Sequence, residues 1–259
     1  MNDSRMLAES DALAMSEKLV TPDKEGAIGI FGGTFDPLHI AHLRLAIEAR
    51  ETLSLTQILF VPAGQPLLRD APQASPQQRL DMVACALAGE PGFLLDDTEV
   101  VARSLSYTVT TLERLRVQYG AARPLVLLMG ADAFARLPEW HRWQALFQLA
   151  HIGVATRPGS SALSSATVDK TIDAEIKQQK LGAGDTAGEM DARLVAELAE
   201  RLGRPADIAL APAGRIVTFN ITPLTISATL IRQRLTHGLS VRHLVPDTVL
   251  DYIETHSIY

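Results

Sequence analysis

Residues Gly29 to His42 read G-I-F-G-G-T-F-D-P-L-H-I-A-H, and their types and order suit the handling of a polyphosphate. A buried-type strand passes through the pair Gly32-Gly33 and enters a helix carrying His39 and His42, three residues apart. Glycines let backbone come close to a phosphate, and a helix start offers N–H groups and the positive end of a dipole. Histidines at that spacing lie on one helical face and can turn ring N–H groups toward the same anion. The chemistry implied is that of a nucleoside triphosphate. Neither the G-x-G-x-x-G dinucleotide fingerprint nor the Gly-Lys-Ser/Thr ending of a P-loop is present, which disfavours a hydride-transfer dehydrogenase. As a zinc site, H-x-x-H lacks the nearby third and fourth ligands that zinc needs. Two readings stand beside it: a pair of helix-surface or core histidines, or two imidazoles that both face the triphosphate, whose charge favours the imidazolium form.

A second anion-binding helix start is predicted near the other end, in I-S-A-T-L-I-R-Q-R-L, Ile226 to Leu235. Ser227 is placed to cap the helix, Thr229 lies in its first turn, and Arg232 falls three residues later on the same face. Alone, this would also describe a surface helix with solvated arginines.

The elements that must position these groups alternate along the chain. Strands are predicted at Ala27–Phe31, Ile58–Val61, Phe93–Leu95, Leu125–Met129, Ile152–Thr156 and near Ile216–Phe219. Helices are predicted at Ile40–Leu53, from Ser75-Pro76 to Gly89, at Tyr107–Tyr119, Asp191–Leu202, Ser227–His237 and about Pro246–His256. Strands separated by helices imply βαβ crossovers: an α/β, Rossmann-like, doubly wound and mostly parallel sheet with helices on both faces. Residues 1–25 are polar and charged and read as an N-terminal extension; residues 26–259 read as one domain. A variable excursion is expected at about 159–213, its segment 159–189 rich in small polar residues.

A net charge of −6 with no long basic run argues against broad nucleic-acid binding. No run of 18 or more apolar residues is present, so no membrane span is expected. The one cysteine, Cys85, excludes an intrachain disulfide and fits a reducing cytoplasm, where it would be a plain buried thiol.

Four segments together resemble the nucleotidylyltransferase superfamily and, within it, the bacterial nicotinate-mononucleotide adenylyltransferases. They are G-G-T-F-D-P-L-H-I-A-H at 32–42, S-Y-T-V-T-T-L at 106–112, G-A-D-A-F-A-R-L-P-E-W at 130–140 and I-S-A-T-L-I-R at 226–232, with a shorter R-P-G at Arg157–Gly159. The resemblance implies a nucleotidyltransferase that joins ATP to nicotinate mononucleotide in NAD biosynthesis, giving nicotinate adenine dinucleotide and pyrophosphate. It implies that Gly32, Gly33, Thr34, Phe35, His39, His42, Ser227, Thr229 and Arg232 hold ATP, with His39, His42 and Arg232 stabilising charge during transfer. It likewise implies that Tyr107, Thr108, Gly130, Asp132, Trp140 and Arg157 serve the mononucleotide, with the pyridine ring stacked on Trp140. Mg²⁺ would arrive on the ATP phosphates; the expected form is a monomer or small homo-oligomer without nucleic-acid or membrane partners. Other phosphate acceptors, nicotinamide mononucleotide or phosphopantetheine, and a catalytically silent nucleotide-binding module stay open as alternatives. Three positions depart from the family pattern: Ala41 where glycine is usual, Leu68 where a histidine stands before the cation Arg69, and His141 where tyrosine is frequent.

Overall fold

The strands of the central sheet are buried on both faces, and alternate residues of each feed two separate cores. Ile28 and Ile30, Leu59 and Val61, and Leu125, Leu127 and Met129 point into one; Phe31, Ile58, Phe60, Val126 and Leu128 point into the other. A sheet so apolar on both sides must be covered twice, and the helices divide accordingly. The structure is a computed structural model that describes residues 26–66, 71–102, 105–156 and 190–259.

In chain order the elements are β1 (Ile28–Gly33), α1 (Ile40–Thr52), β2 (Gln57–Pro62), α2 (Pro76–Leu87), β3 (Phe93–Leu95), α3 (Thr98–Ala102), α4 (Thr108–Tyr119), β4 (Leu125–Gly130), α5 (Ala131–Ala135), α6 (Leu146–Leu149), β5 (His151–Thr156), α7 (Ala192–Arg201), β6 (Leu202–Gly203), β7 (Ile216–Asn220), α8 (Ala228–Thr236) and α9 (Asp247–Thr255). The first core takes buried residues from α4, α5, α6 and α7, the second from α1, α2, α8 and α9. The seven strands run in the order β3-β2-β1-β4-β5-β7-β6 and every adjacent pair is parallel. The order reverses direction at β1, so the doubly wound α/β sheet expected from the sequence has its switch point between β1 and β4.

Local signals explain several boundaries. Ser75 caps α2, its hydroxyl accepting from the Gln78 N–H at 3.2 Å, with Pro76 in the first turn. Gly120 and Gly238, at φ 84° and 65°, end α4 and α8 in the left-handed conformation that glycine tolerates. Two differences from the sequence reading concern short elements. The sheet resumes at Leu202–Gly203, ahead of Ile216, because the amphipathic α7 buries Leu194, Val195 and Leu198 and delivers the chain to the sheet edge. The one-turn helices α3, α5 and α6 were not anticipated, since five residues or fewer carry no readable period. No helix among the described residues is long and apolar enough to cross a membrane.

Candidate active site

The C-terminal halves of β1 and β4 are not paired with each other. β1 matches β2 along its whole length to Gly33↔Pro62, but meets β4 only from Ile28↔Leu125 to Ile30↔Leu127. Beyond that point β4 stays paired with β5, through Gly130↔Ala155. The sheet therefore splits at its carboxyl edge at the switch point, where open α/β sheets place ligands. Gly32, Gly33 and Thr34 form one lip of the split; Gly130 and Asp132 form the other.

The first motif turns sharply at that lip. Phe35 has φ 51° yet is only 2% exposed, an uncommon conformation for a buried phenylalanine. A Cβ on Gly33 would lie 2.8 Å from the Phe35 ring, so the turn admits no side chain there. The strain is held by packing: Phe35 sits among Phe31, Phe60 and His42, at ring distances of 5.7, 6.0 and 5.1 Å. His39 then occupies the N-cap of α1, and its ring stacks on that of His42 with centroids 3.7 Å apart. The His39 N–H donates to Nδ1 of His42 at 3.2 Å. That bond makes Nδ1 an acceptor and puts the proton of neutral His42 on Nε2, the far nitrogen. The helix start itself is less open than the sequence suggests: the Ile40 N–H donates to the Leu244 carbonyl at 3.0 Å and that of His42 to the His39 carbonyl at 2.9 Å.

Burial also modifies the expected charge. His39 is 5% exposed, and desolvation pushes its imidazole down to about 4, so in the free protein it is neutral near pH 7. The unfolded chain takes up that proton near pH 6.5, whereas the folded chain resists until about 4. This penalty is absent above pH 6.5 and grows as pH falls through the window, to about 3 kcal/mol. Urea midpoints measured between pH 7.5 and 4.5 are accordingly expected to fall less steeply for His39→Gln than for the parent. Equal slopes would mean that folded His39 takes up its proton as readily as the unfolded chain does.

The second helix start reaches the first. The Ser227 hydroxyl caps α8, accepting from the Leu230 N–H at 3.1 Å, as its position in the sequence predicts. Arg232 donates through Nη1 to the Asp36 carbonyl at 2.7 Å, lies 3.5 Å from the Asp36 carboxylate, and donates through Nη2 to the Thr229 hydroxyl at 3.5 Å. Asp36 is three residues ahead of His39, so segments nearly 200 residues apart in sequence meet at one corner of the cleft.

Sequence reasoning missed the residues that brace this corner. Asp36 is 4% exposed and accepts from the Gln73 and Ala74 N–H groups and from the Tyr259 hydroxyl, at 2.9, 3.1 and 2.7 Å. Arg79 is wholly buried and donates to the Thr34 carbonyl at 2.7 Å and the Gly64 carbonyl at 3.0 Å, joining the loops after β1 and β2. Asp36 stands inside the quoted motif, which was its available signal; an arginine on α2 reaching the glycine turn had none. Ser106 does similar work on the other side, its Oγ accepting from the Gly64 N–H at 2.9 Å. Gly64 is confined there, since a Cβ would run into the Glu99 carbonyl.

On that side Tyr107 holds the N-cap position of α4, and its ring lies 4.6 Å from that of His141. Trp140 is half-buried, whereas Trp143 is 6% exposed and belongs to the core. Asp132 is exposed in the first turn of α5, at the carboxyl edge of β4. Arg157, the Leu68 and Arg69 positions, the extension 1–25 and the segment 159–189 lie outside the described residues.

At this corner a parallel sheet opens beside a glycine turn, two stacked imidazoles and an arginine from a second helix start. The cytidylyltransferase-like family model matches residues 30–234. A protein of Dechloromonas aromatica named "Probable nicotinate-nucleotide adenylyltransferase" is 48% identical over 235 residues, covering 90% of this chain and 97% of its own. One of the same name from Pseudomonas fluorescens is 42% identical over 232 residues, covering 90% and 96%. A Plasmodium falciparum nicotinic acid mononucleotide adenylyltransferase complexed with NaAD has a similar fold, with a TM-score of 0.61 at 15% identity over 90% of this chain and 97% of that one. The chain belongs to the nicotinate-nucleotide adenylyltransferases of the cytidylyltransferase-like family.

Proposed function

We propose that this chain joins ATP to nicotinate mononucleotide, giving nicotinate adenine dinucleotide and pyrophosphate, with the chemistry carried out in the cleft between β1 and β4. The observation that carries the assignment of the site is the bond from Arg232 to Asp36, which ties the second helix start to the first motif. A 5′-phosphate oxygen of the mononucleotide attacks the α-phosphorus of ATP. A new P–O bond forms while the bond from the α-phosphorus to the pyrophosphate oxygen breaks in line with it. The attacking oxygen is already ionised near neutral pH, so no strong base is required. The work is alignment and charge stabilisation: holding two nucleotides in attack geometry contributes ~7–11 kcal/mol. One well-placed donor to the developing charge contributes about 3–4 kcal/mol.

On this reading Gly32, Gly33, Thr34 and Phe35 shape the backbone around the triphosphate, and Ser227 and Thr229 bring hydroxyls from α8. His39, His42 and Arg232 donate N–H groups to the α-phosphate and the departing pyrophosphate. Gly130 and Asp132 line the opposite lip toward the mononucleotide. The start of α4, at Tyr107 and Thr108, offers the positive end of a helix to the nicotinate carboxylate, and Arg157 adds a cation. The divalent cation, Mg²⁺, is part of the ATP substrate, held by phosphate oxygens and water. Among the described residues no three His, Cys, Asp or Glu side chains gather into a metal-binding group.

Pyrophosphate release, measured with ATP plus nicotinate mononucleotide, nicotinamide mononucleotide or phosphopantetheine, tests the assignment. Turnover with the first acceptor alone supports it; preference for either of the others moves the acceptor, and silence with all three leaves a binding module. Trp140 supplies a second test. Of the two tryptophans it is the more exposed, and an electron-poor pyridinium stacks well on indole. Trp140→Ala is expected to weaken mononucleotide binding roughly tenfold while sparing ATP, read by calorimetry with each ligand alone. An equal loss for both ligands would remove Trp140 from the mononucleotide subsite.

A further inference from the structure

We infer that Tyr259 is a positioning residue for transfer, its hydroxyl fixing the Asp36 carboxylate beside the Arg232 guanidinium. The inference rests on the reading of Arg232 as a phosphate donor. Tyr259 lies beyond α9, where the chain turns back through left-handed residues, Ser257 at φ 49° and Tyr259 at φ 76°. The turn is pinned by Ile258, which is 7% exposed in the core and donates its N–H to the Ile253 carbonyl at 3.1 Å. The ring is thereby brought across the molecule to a residue 223 positions earlier.

At Asp36 the bonds divide between the two carboxylate oxygens. Oδ1 accepts from Tyr259 at 2.7 Å and from the Ala74 N–H at 3.1 Å; Oδ2 accepts from the Gln73 N–H at 2.9 Å and faces Arg232 at 3.5 Å. Tyr259 makes the shortest of these contacts. Burial and the bond to Asp36 push its phenol above the ordinary tyrosine value, so it remains a donor across the working pH range. Arg232 holds the Asp36 carbonyl more closely than the carboxylate, at 2.7 against 3.5 Å. A carboxylate satisfied by the phenol competes less with substrate phosphate for the guanidinium. Without the phenol it keeps only the Gln73 and Ala74 N–H groups, and its under-satisfied charge draws Arg232 into a tighter pair, away from the cleft.

The fold offers a matched control. Tyr252 on α9 donates to the Asp81 carboxylate, also at 2.7 Å, with no connection to Arg232. Tyr259→Phe is expected to lower kcat roughly tenfold, with KM for nicotinate mononucleotide unchanged. Tyr252→Phe removes a comparable bond and is expected to affect stability alone. The deciding measurement is a double-mutant cycle: in an Arg232→Ala background Tyr259→Phe should have no further effect on kcat. If Tyr259→Phe lowers kcat equally in both backgrounds, or shifts only the melting temperature as Tyr252→Phe does, the inference fails while the role of Arg232 stands. If Arg232→Ala itself leaves kcat intact, both fall.

Discussion

His42→Ala is expected to lower kcat by about two to three orders of magnitude while KM for ATP changes little. The size follows from how the ring is held. Its Nδ1 is occupied by the His39 N–H at 3.2 Å, one face lies on the His39 ring, and Phe31 and Phe35 approach at 6.0 and 5.1 Å. Such a ring is held in one orientation and one tautomer, so little reorganisation is left for the transition state. Charge accumulates on the bridging and pyrophosphate oxygens only as the old bond breaks, so this donor is worth more late than early. His39, fixed at the N-cap of α1 and stacked on this ring, has its own place at the phosphates and does not take over the direction of the His42 donor. Single-turnover kinetics separate the cases. A variant whose chemical step is unchanged, with only KM raised, would show that His42 binds substrate and transition state alike.

How much of this could be read from residue order depends on the range of the interaction. The strands, the parallel sheet and the capped start of α8 were legible because each rests on local pattern: continuous apolar runs, Ser-Pro and Ser before a helix, Gly after one. The convergence of the two motifs was legible only through resemblance, since nothing between Phe35 and Arg232 says that their loops touch. Three features were hidden for distinct reasons. The neutral state of His39 is a consequence of burial, which motif spacing does not report. Arg79 looks like any arginine on a polar-faced helix, yet it is wholly buried between two loop carbonyls. Tyr259 stands outside every motif, and its partner is set by tertiary packing around Ile258.

Arg232→Ala is expected to reduce kcat/KM about a thousandfold, and Arg232→Lys to recover less than a tenth of the loss. The guanidinium is tethered at both Nη atoms, to the Asp36 carbonyl and to the Thr229 hydroxyl, and these bonds use two of its five N–H groups. The tether fixes the plane of the fork, leaving donors in a set direction for a phosphate. A lysine keeps the charge but has neither the second anchor nor the plane, so it presents a point charge on a loose stem. The loss should be catalytic rather than structural. With Arg232 removed, Asp36 loses one counter-charge but still accepts from Gln73, Ala74 and Tyr259 and stays within reach of the Arg79 guanidinium, so the buried carboxylate is not stranded. Thermal melts of both variants should therefore stay within a few degrees of the parent while the rates part widely. Full activity in Arg232→Lys would mean that charge alone suffices there, and the paired anchoring at Asp36 and Thr229 would then have no part in transfer.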